Sequence, residues 1–268
     1  MASAKEICNM ALVRIGGGLI TDTVDPPNLT GDDEPSRLSN LFYEQKRDEV
    51  LEMFPWRFAK RRINLDVEDQ IKDITGATQA NPVVITCASH GFTDYRHVYI
   101  YDVEGMTDLN TVTYRIASVA TDTFELLGVD GAGFGAYTSG GKVRLRPPFE
   151  FEYAFSLPTD FLKDWKLYGS DADYDIEEKY LLISDDEIDL EYIAQITDTT
   201  KFSPLFIRIL YLTLAYVFAQ KLADSKTLTL QVGNELNKAI FNVMAIEARK
   251  GKQVDERELN SWQTAGRS

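Results

Sequence analysis

Asp171, Asp173 and Asp175 alternate like the opening of a calcium-binding loop, in which oxygens at positions one, three and five converge on the ion. Such a loop also needs glycine at its sixth position and a bidentate glutamate at its twelfth, where this chain has Ile176 and Leu182. A solvated acidic loop is the plainer reading. Asp185-Asp186-Glu187 lies between the strand-like runs LLIS and IDLEYI, where a hairpin turn accepts acidic residues. Paired carboxylates can cleave glycosidic bonds, but that pairing is a distance in space, which sequence does not contain. The two histidines, His90 and His97, fall in a turn (Ser89-His90-Gly91) and at a strand start. Cys87 sits in an apolar run and no GxSxG elbow is present, so a nucleophile with its base has little support. No GxxxxGK[ST] phosphate loop occurs, and Gly131 to Gly135 lacks the strand-to-helix setting of a nucleotide fold, so a hairpin turn accounts for those glycines. No catalytic, cofactor-binding or metal-binding residue is assigned, and the chain reads as non-enzymatic.

The densest local cluster is Trp56-Arg57-Phe58-Ala59-Lys60-Arg61-Arg62, basic residues interleaved with aromatic ones. Such a segment can stack on bases and contact phosphates. The alternative is that Trp56 and Phe58 anchor a helix end while the arginines pair with carboxylates of the same or a neighbouring subunit. The charge of the whole chain favours the alternative. Forty-two acidic against 28 basic residues give a formal net charge of −14, which disfavours phosphate backbones and anionic lipid.

At 268 residues, 44% of them hydrophobic, the chain can fill a core without staples. Cys8 and Cys87 lie far apart, in segments of different character, so neither a disulfide framework nor a thiolate metal site is expected. The N-terminal MASAKEICNMALVRIGGG has no signal-peptide h-region or cleavage signal, and a cytosolic synthesis site is expected. The longest apolar run, Ile209 to Ala219, is short of the roughly 20 residues that cross a bilayer, so it reads as a buried helix.

Periodicity divides the chain into three zones. In the first, Cys8, Ala11, Leu12 and Ile15 make one face of a short helix that Gly16-Gly17-Gly18 ends. Asp33 caps a second helix, opened by Glu34 and Pro35 and running to about Phe54, with apolar ends (Leu38, Leu41, Phe42; Val50, Leu51, Phe54) and a polar middle free to face a neighbour. The second zone holds the strand-like runs VVIT, HVYIY, TVTYRIA, TFELL and KVRL, separated by glycine-bearing turns, which predicts a small barrel or sandwich over residues 70–145. The third has extended segments over about 150–196, then two helices. Ser203 caps and Pro204 opens one, apolar almost all round, to about Ala223. The other runs from about Thr227 to Lys250, with Leu228, Val232, Leu236, Ile240 and Val243 on one face. Beyond Gly251 the polar stretch to Ser268 reads as an extended docking tail, disordered by itself, with a single Trp262. The fold class is α+β. A discontinuous helical core (1–69 and 146–250) carries an inserted β-domain (70–145) and a C-terminal tail (251–268).

Several strings, in order, carry a resemblance: CNMALVRIGGGLI, FYEQKRDEVLEMFPWRFAKRRINL, YAFSLPTDFLK, YLLISDDEIDLEYIAQITDTTKFSPLFIRILYLTLAYVFA and SWQTAGR. Together they resemble the head-to-tail adaptor, or tail tubular protein A, of short-tailed bacteriophages. The resemblance implies a virion protein of the neck, self-associated in an expected twelve-fold ring. Its partners would be the portal protein and a nozzle of the tail tubular protein B kind, with DNA passing through the channel without specific binding. It also implies no cofactor and no membrane. Candidate portal or subunit contacts are then Trp56, Arg57, Arg61 and Arg62, with Trp262 as an aromatic anchor and Arg267 as its polar partner. Within the insert, ITGATQANPVVITCASHGF, VEGMTDLNTVTYRIA and TFELLGVDGAGFGAYTSGG resemble the first catalytic cysteine half-domain of ubiquitin-activating enzymes. That kinship implies fold alone, because the adenylating site belongs to other domains of those enzymes. The alternative function is a tail-associated module whose β-insert contacts a host-surface glycan or another tail protein.

Overall fold

In a computed structural model the chain divides into two units, Met1–Lys60 with Ile193–Ser268, and Arg61–Tyr192. The structure describes residues 2–147, 149–222 and 225–265, except the side chains of 247–265. Both helices and antiparallel sheets are present, an α+β fold.

The first unit is helical. Helix α1 (Ala4–Ile15) starts at a capping box in which Ser3 Oγ accepts from the Glu6 N–H while Glu6 accepts from the Ser3 N–H, and Gly16 ends it at φ 72. Helix α2 (Glu34–Met53) is capped by Asp33, and its buried face is Ser36, Leu38, Ser39, Tyr43, Arg47, Val50 and Leu51. The expected division into apolar ends and a free polar middle does not hold. Leu41 is 67% exposed, whereas Arg47 is buried against Asp48 at 2.8 Å, and Asp48 in turn accepts from Gln195 at 2.7 Å. Serines on the buried face are small enough for close helix approach, and a paired arginine can lie among them. Helix α3 (Pro204–Leu222) is the apolar centre, with Phe206, Ile209, Leu210, Leu212, Leu214, Ala215 and Phe218 buried and α1, α2 and α4 (Lys226–Ala265) packed around it. By length and composition alone α3 is also apolar enough to cross a membrane. Arg14 of α1 reaches Glu235 of α4 at 2.8 Å.

Helix α4 corrects the expectation of an extended tail after Gly251, since its 40 residues run through Gly251 to Ala265. One glycine costs a helix only about 1 kcal/mol, and the flanking glutamates, arginines, leucine and glutamines are good helix formers.

The second unit contains three sheets. The largest is antiparallel and seven-stranded, built from β2 (Lys72–Asp73), β3 (Gly76–Ala77), β4 (Val84–Thr86), β5 (His97–Glu104), β6 (Val112–Ala117), β7 (Thr123–Leu126) and β8 (Ser139–Leu145), in the order β2-β8-β5-β6-β7-β4-β3. Its edge strands β2 and β3 are joined by Ile74-Thr75 alone, so the sheet must curl until its edges nearly meet. Ile74 donates to Gly141 on one side and Thr75 to Thr86 on the other, which makes the predicted barrel. Val83, Ile85, Cys87, Val98, Ile100, Met106, Ile116, Phe124, Leu126 and Val143 fill it.

The β-rich segment assigned by sequence to the helical core groups with this barrel. A sheet of β9 (Tyr153–Ser156), β11 (Asp175–Glu177) and β12 (Tyr180–Ile183) adds Ala154, Tyr180 and Leu182 to the barrel's own apolar cluster. A second small sheet orders β1 (Lys60–Asp66), β13 (Glu187–Ala194) and β10 (Phe161–Tyr168) as β1-β13-β10. Two expected hairpins are crossings instead. Asp185-Asp186 carries the chain from one small sheet to the other, and the Gly131–Gly135 loop links β7 to β8, which do not pair. A Cβ at Gly135 would collide with the Gly105 carbonyl, so close backbone approach explains that glycine.

Candidate functional site

The aromatic-basic segment is split by function as the chain leaves α2. Phe54, Trp56, Phe58, Phe202 and Phe206 form one aromatic knot in the helical unit, with Trp56 edge-on to Phe54 (5.5 Å) and to Phe206 (5.3 Å). Trp56 is buried and its indole N–H donates to the Val50 carbonyl at 2.8 Å, the usual requirement of a buried tryptophan. As a surface contact candidate it is therefore corrected: its ring is spent on the core. Arg57 is exposed and has no ion pair among the described residues.

In the other unit, Arg61 and Arg62 open β1 and find carboxylates. Arg61 lies 2.7 Å from Asp160, which also accepts from the Tyr192 hydroxyl at 3.0 Å. Arg62 lies 3.1 Å from Glu191, a buried carboxylate that accepts from the Tyr168 hydroxyl at 2.9 Å. That hydrogen bond to Glu191 pushes the Tyr168 hydroxyl above its ordinary value, as burial and the bond to Asp160 do for Tyr192. The backbone of Trp262 belongs to α4, but its side chain and all of Arg267 lie outside the described residues.

What sequence reasoning missed is apolar surface. In the helical unit Met10, Val13, Leu19 and Tyr211 line a shallow groove together with the polar Glu6, Asn9 and Arg14, and Val13 is 64% exposed. A second stripe lies on α4, where Leu230 (68% exposed), Phe241 (70%) and Met244 point to one side. At about 100° per residue these three lie within roughly 60° of one another. The stripe lies about half a turn from the buried Val232, Ala239 and Val243, and only burial tells the two faces apart.

The groups singled out for chemistry are placed as follows. Burial pushes the Cys8 thiol up to about 12 and the Cys87 thiol up to about 11, so at neutral pH both are protonated and poor nucleophiles. His90 is buried against Phe92 and Phe124, its Nδ1 accepting from the Phe92 N–H at 3.1 Å. Asp171 and Asp173 occupy the exposed loop between β10 and β11, and among the described residues no three His, Cys, Asp or Glu side chains converge on a metal position.

In a protein-family comparison, residues 80–145 match the ubiquitin-activating enzyme E1 FCCH domain. The match covers β4 to β8, the body of the barrel, and supports an inserted β-domain of that kind. None of the curated proteins matches the chain.

Proposed function

We propose that this protein is a non-enzymatic connector of a short-tailed bacteriophage virion. It forms a ring, expected to be dodecameric, that joins the portal to the tail nozzle and passes DNA through its channel. The observation that carries the reading is the pair of apolar faces on the helical unit: the groove of Met10, Val13 and Leu19, and the α4 stripe of Leu230, Phe241 and Met244. Two different faces make a head-to-tail contact, and head-to-tail contacts build a ring when the repeated rotation closes. Exposed Val, Leu, Met and Phe side chains of this size mark surface that a partner covers. The sequence resemblance to tail tubular protein A supplies the place in the virion, and the net charge of −14 suits a lumen along which DNA slides without sticking.

Electron microscopy of the protein mixed with portal rings tests this reading. A collar of defined symmetry is expected beneath the portal, and Phe241→Asp abolishes the collar while far-ultraviolet circular dichroism stays that of the parent. An intact collar with Phe241→Asp removes the α4 stripe from the interface, and no collar with the parent chain sinks the proposal.

A further inference from the structure

The β unit holds a small concavity of about 170 Å³ where β5 meets β9 and β12. Leu145, Ala154 and Leu182 line it with apolar surface, and Tyr95, His97 and Arg146 add polar groups. Cavities of roughly 150 Å³ accept a single six-membered ring, well below the size of drug-like pockets.

Two arginines line the pocket, and they differ. Arg96 is committed: it lies 2.6 Å from Glu178, 3.6 Å from Glu177, and 5.1 Å from the centroid of Tyr180. Arg146 stacks over Tyr99 at 5.3 Å, and among the described residues it has no carboxylate partner. In a chain with 42 acidic residues, a pocket-lining guanidinium without a carboxylate partner has donors that an anion can take. The second observation is backbone strain at the rim. Tyr95 adopts φ 65, a conformation unfavourable for a bulky residue, and the residue is 61% exposed. It is held there by its own N–H donating to Ile116 at 2.8 Å and by Arg115, 5.0 Å from its ring centroid. Strain of this kind persists where surroundings over-determine it, and it gathers at ligand clamps.

We infer that this pocket binds the carboxylate-bearing pyranose ring of an acidic sugar, with Arg146 as the carboxylate's partner. The fork of the guanidinium matches a carboxylate in two parallel hydrogen bonds. Apolar lining and the Tyr95 ring suit the C–H face of the sugar. Glu177, half exposed, accepts from its hydroxyls. Burial, and then the nearby Arg115, hold the His97 imidazole below its ordinary value, so at neutral pH it is uncharged and also hydrogen-bonds hydroxyls.

The test is ligand-observed NMR on the full chain with glucuronate, glucose and N-acetylglutamate methylamide as probes. Glucuronate is expected to bind with a dissociation constant on the order of 1 mM, the scale for so small a ligand. Glucose, without the charge, and the acetylated amino acid, without the ring, are each expected to bind about tenfold more weakly. Arg146→Gln brings glucuronate down to the level of glucose. Tyr95→Asn, in which asparagine tolerates the left-handed backbone, weakens both sugars. Glucuronate no tighter than glucose, the acetylated amino acid as tight as glucuronate, or Arg146→Gln without effect would each overturn the assignment. Should Arg146→Gln fail to fold, the comparison of the three probes on the parent chain decides. Collar formation on portal rings is independent of this pocket, so the two proposals fail separately.

Discussion

Where the helical unit meets solvent it presents Val13, Leu41, Leu230 and Phe241, side chains with no group for water to bond. The β unit presents mostly Tyr95, Trp165, Tyr168 and Tyr174, each an apolar body with a polar tip, with Phe149, Leu127, Val112 and Ile63 as exceptions. In charge the interiors are alike: in the helical unit the buried Arg47 is answered by Asp48 at 2.8 Å. The β unit buries charge only where it is answered: Arg144 donates to the Glu152 carbonyl at 2.8 Å and lies 4.5 Å from the Tyr153 ring centroid, and Glu191 is held by Arg62 and Tyr168. A curled sheet that nearly closes on itself has satisfied most of its backbone and buried its core without help. Four helices leave side faces over, and these faces are what a neighbouring subunit can cover.

The contrast between two self-contained cores can be broken by cavity mutations. Phe206→Ala in the helical unit and Phe124→Ala in the barrel, both fully buried, are each expected to cost about 3–5 kcal/mol. Calorimetry should show the two lowering different unfolding transitions, and a single transition lowered equally by both would dissolve the division. The cysteines read the same contrast without mutation, one in each unit. A thiol held near 12 rather than 9.0 has on the order of a thousandfold less thiolate, so Cys8 should resist a thiol reagent until the helices open and Cys87 until the barrel does. Because these thiols keep their protons longer in the native state than in the unfolded one, their contribution to stability is intact below pH 9.0. It falls as pH rises from there toward about 12 for Cys8 and about 11 for Cys87. Trp56→Phe keeps the aromatic knot but leaves the Val50 carbonyl unanswered, an expected loss of about 1–3 kcal/mol confined to the helical transition in urea. The smallest effect belongs to Arg61→Ala. Its pair with Asp160 is partly open to water, so a loss of no more than about 1 kcal/mol is expected, and only in the β transition.

Capping chemistry made the helix starts legible: Asp33 before α2 and Ser203-Pro204 before α3 stand where local rules put them, as does Gly16 after α1. The five strand-like runs of the insert became β4 to β8, because alternation and glycine turns are local signals. Pairing is not local. Nothing in LLISDDEIDLEYI distinguishes a hairpin from a crossing between sheets, and only the partners of β12 and β13 decide it. The middle of the buried face of α2 escaped a search for apolar periodicity because, between Leu38 and Val50, it is made of Ser39, Tyr43 and Arg47. Of the candidate contacts, Trp56 misled because a tryptophan beside arginines reads the same whether it faces a partner or a phenylalanine of its own core. The apolar stripes needed burial to be found, since Leu230 and Val232 look alike until one of them is covered.

The continuity of α4 sets a clock. A helix from Lys226 to Ala265 spans about 60 Å, and each residue along it advances the bearing of the next by about 100°. Whatever the distal half touches is thus fixed in azimuth by a residue count that begins in the packed bundle. Two residues inserted at Gly251 would aim everything beyond at nearly the opposite side, by about 200°, while four would return it to within about 40° of its original bearing. Direction, and not only reach, is written into the length of this helix.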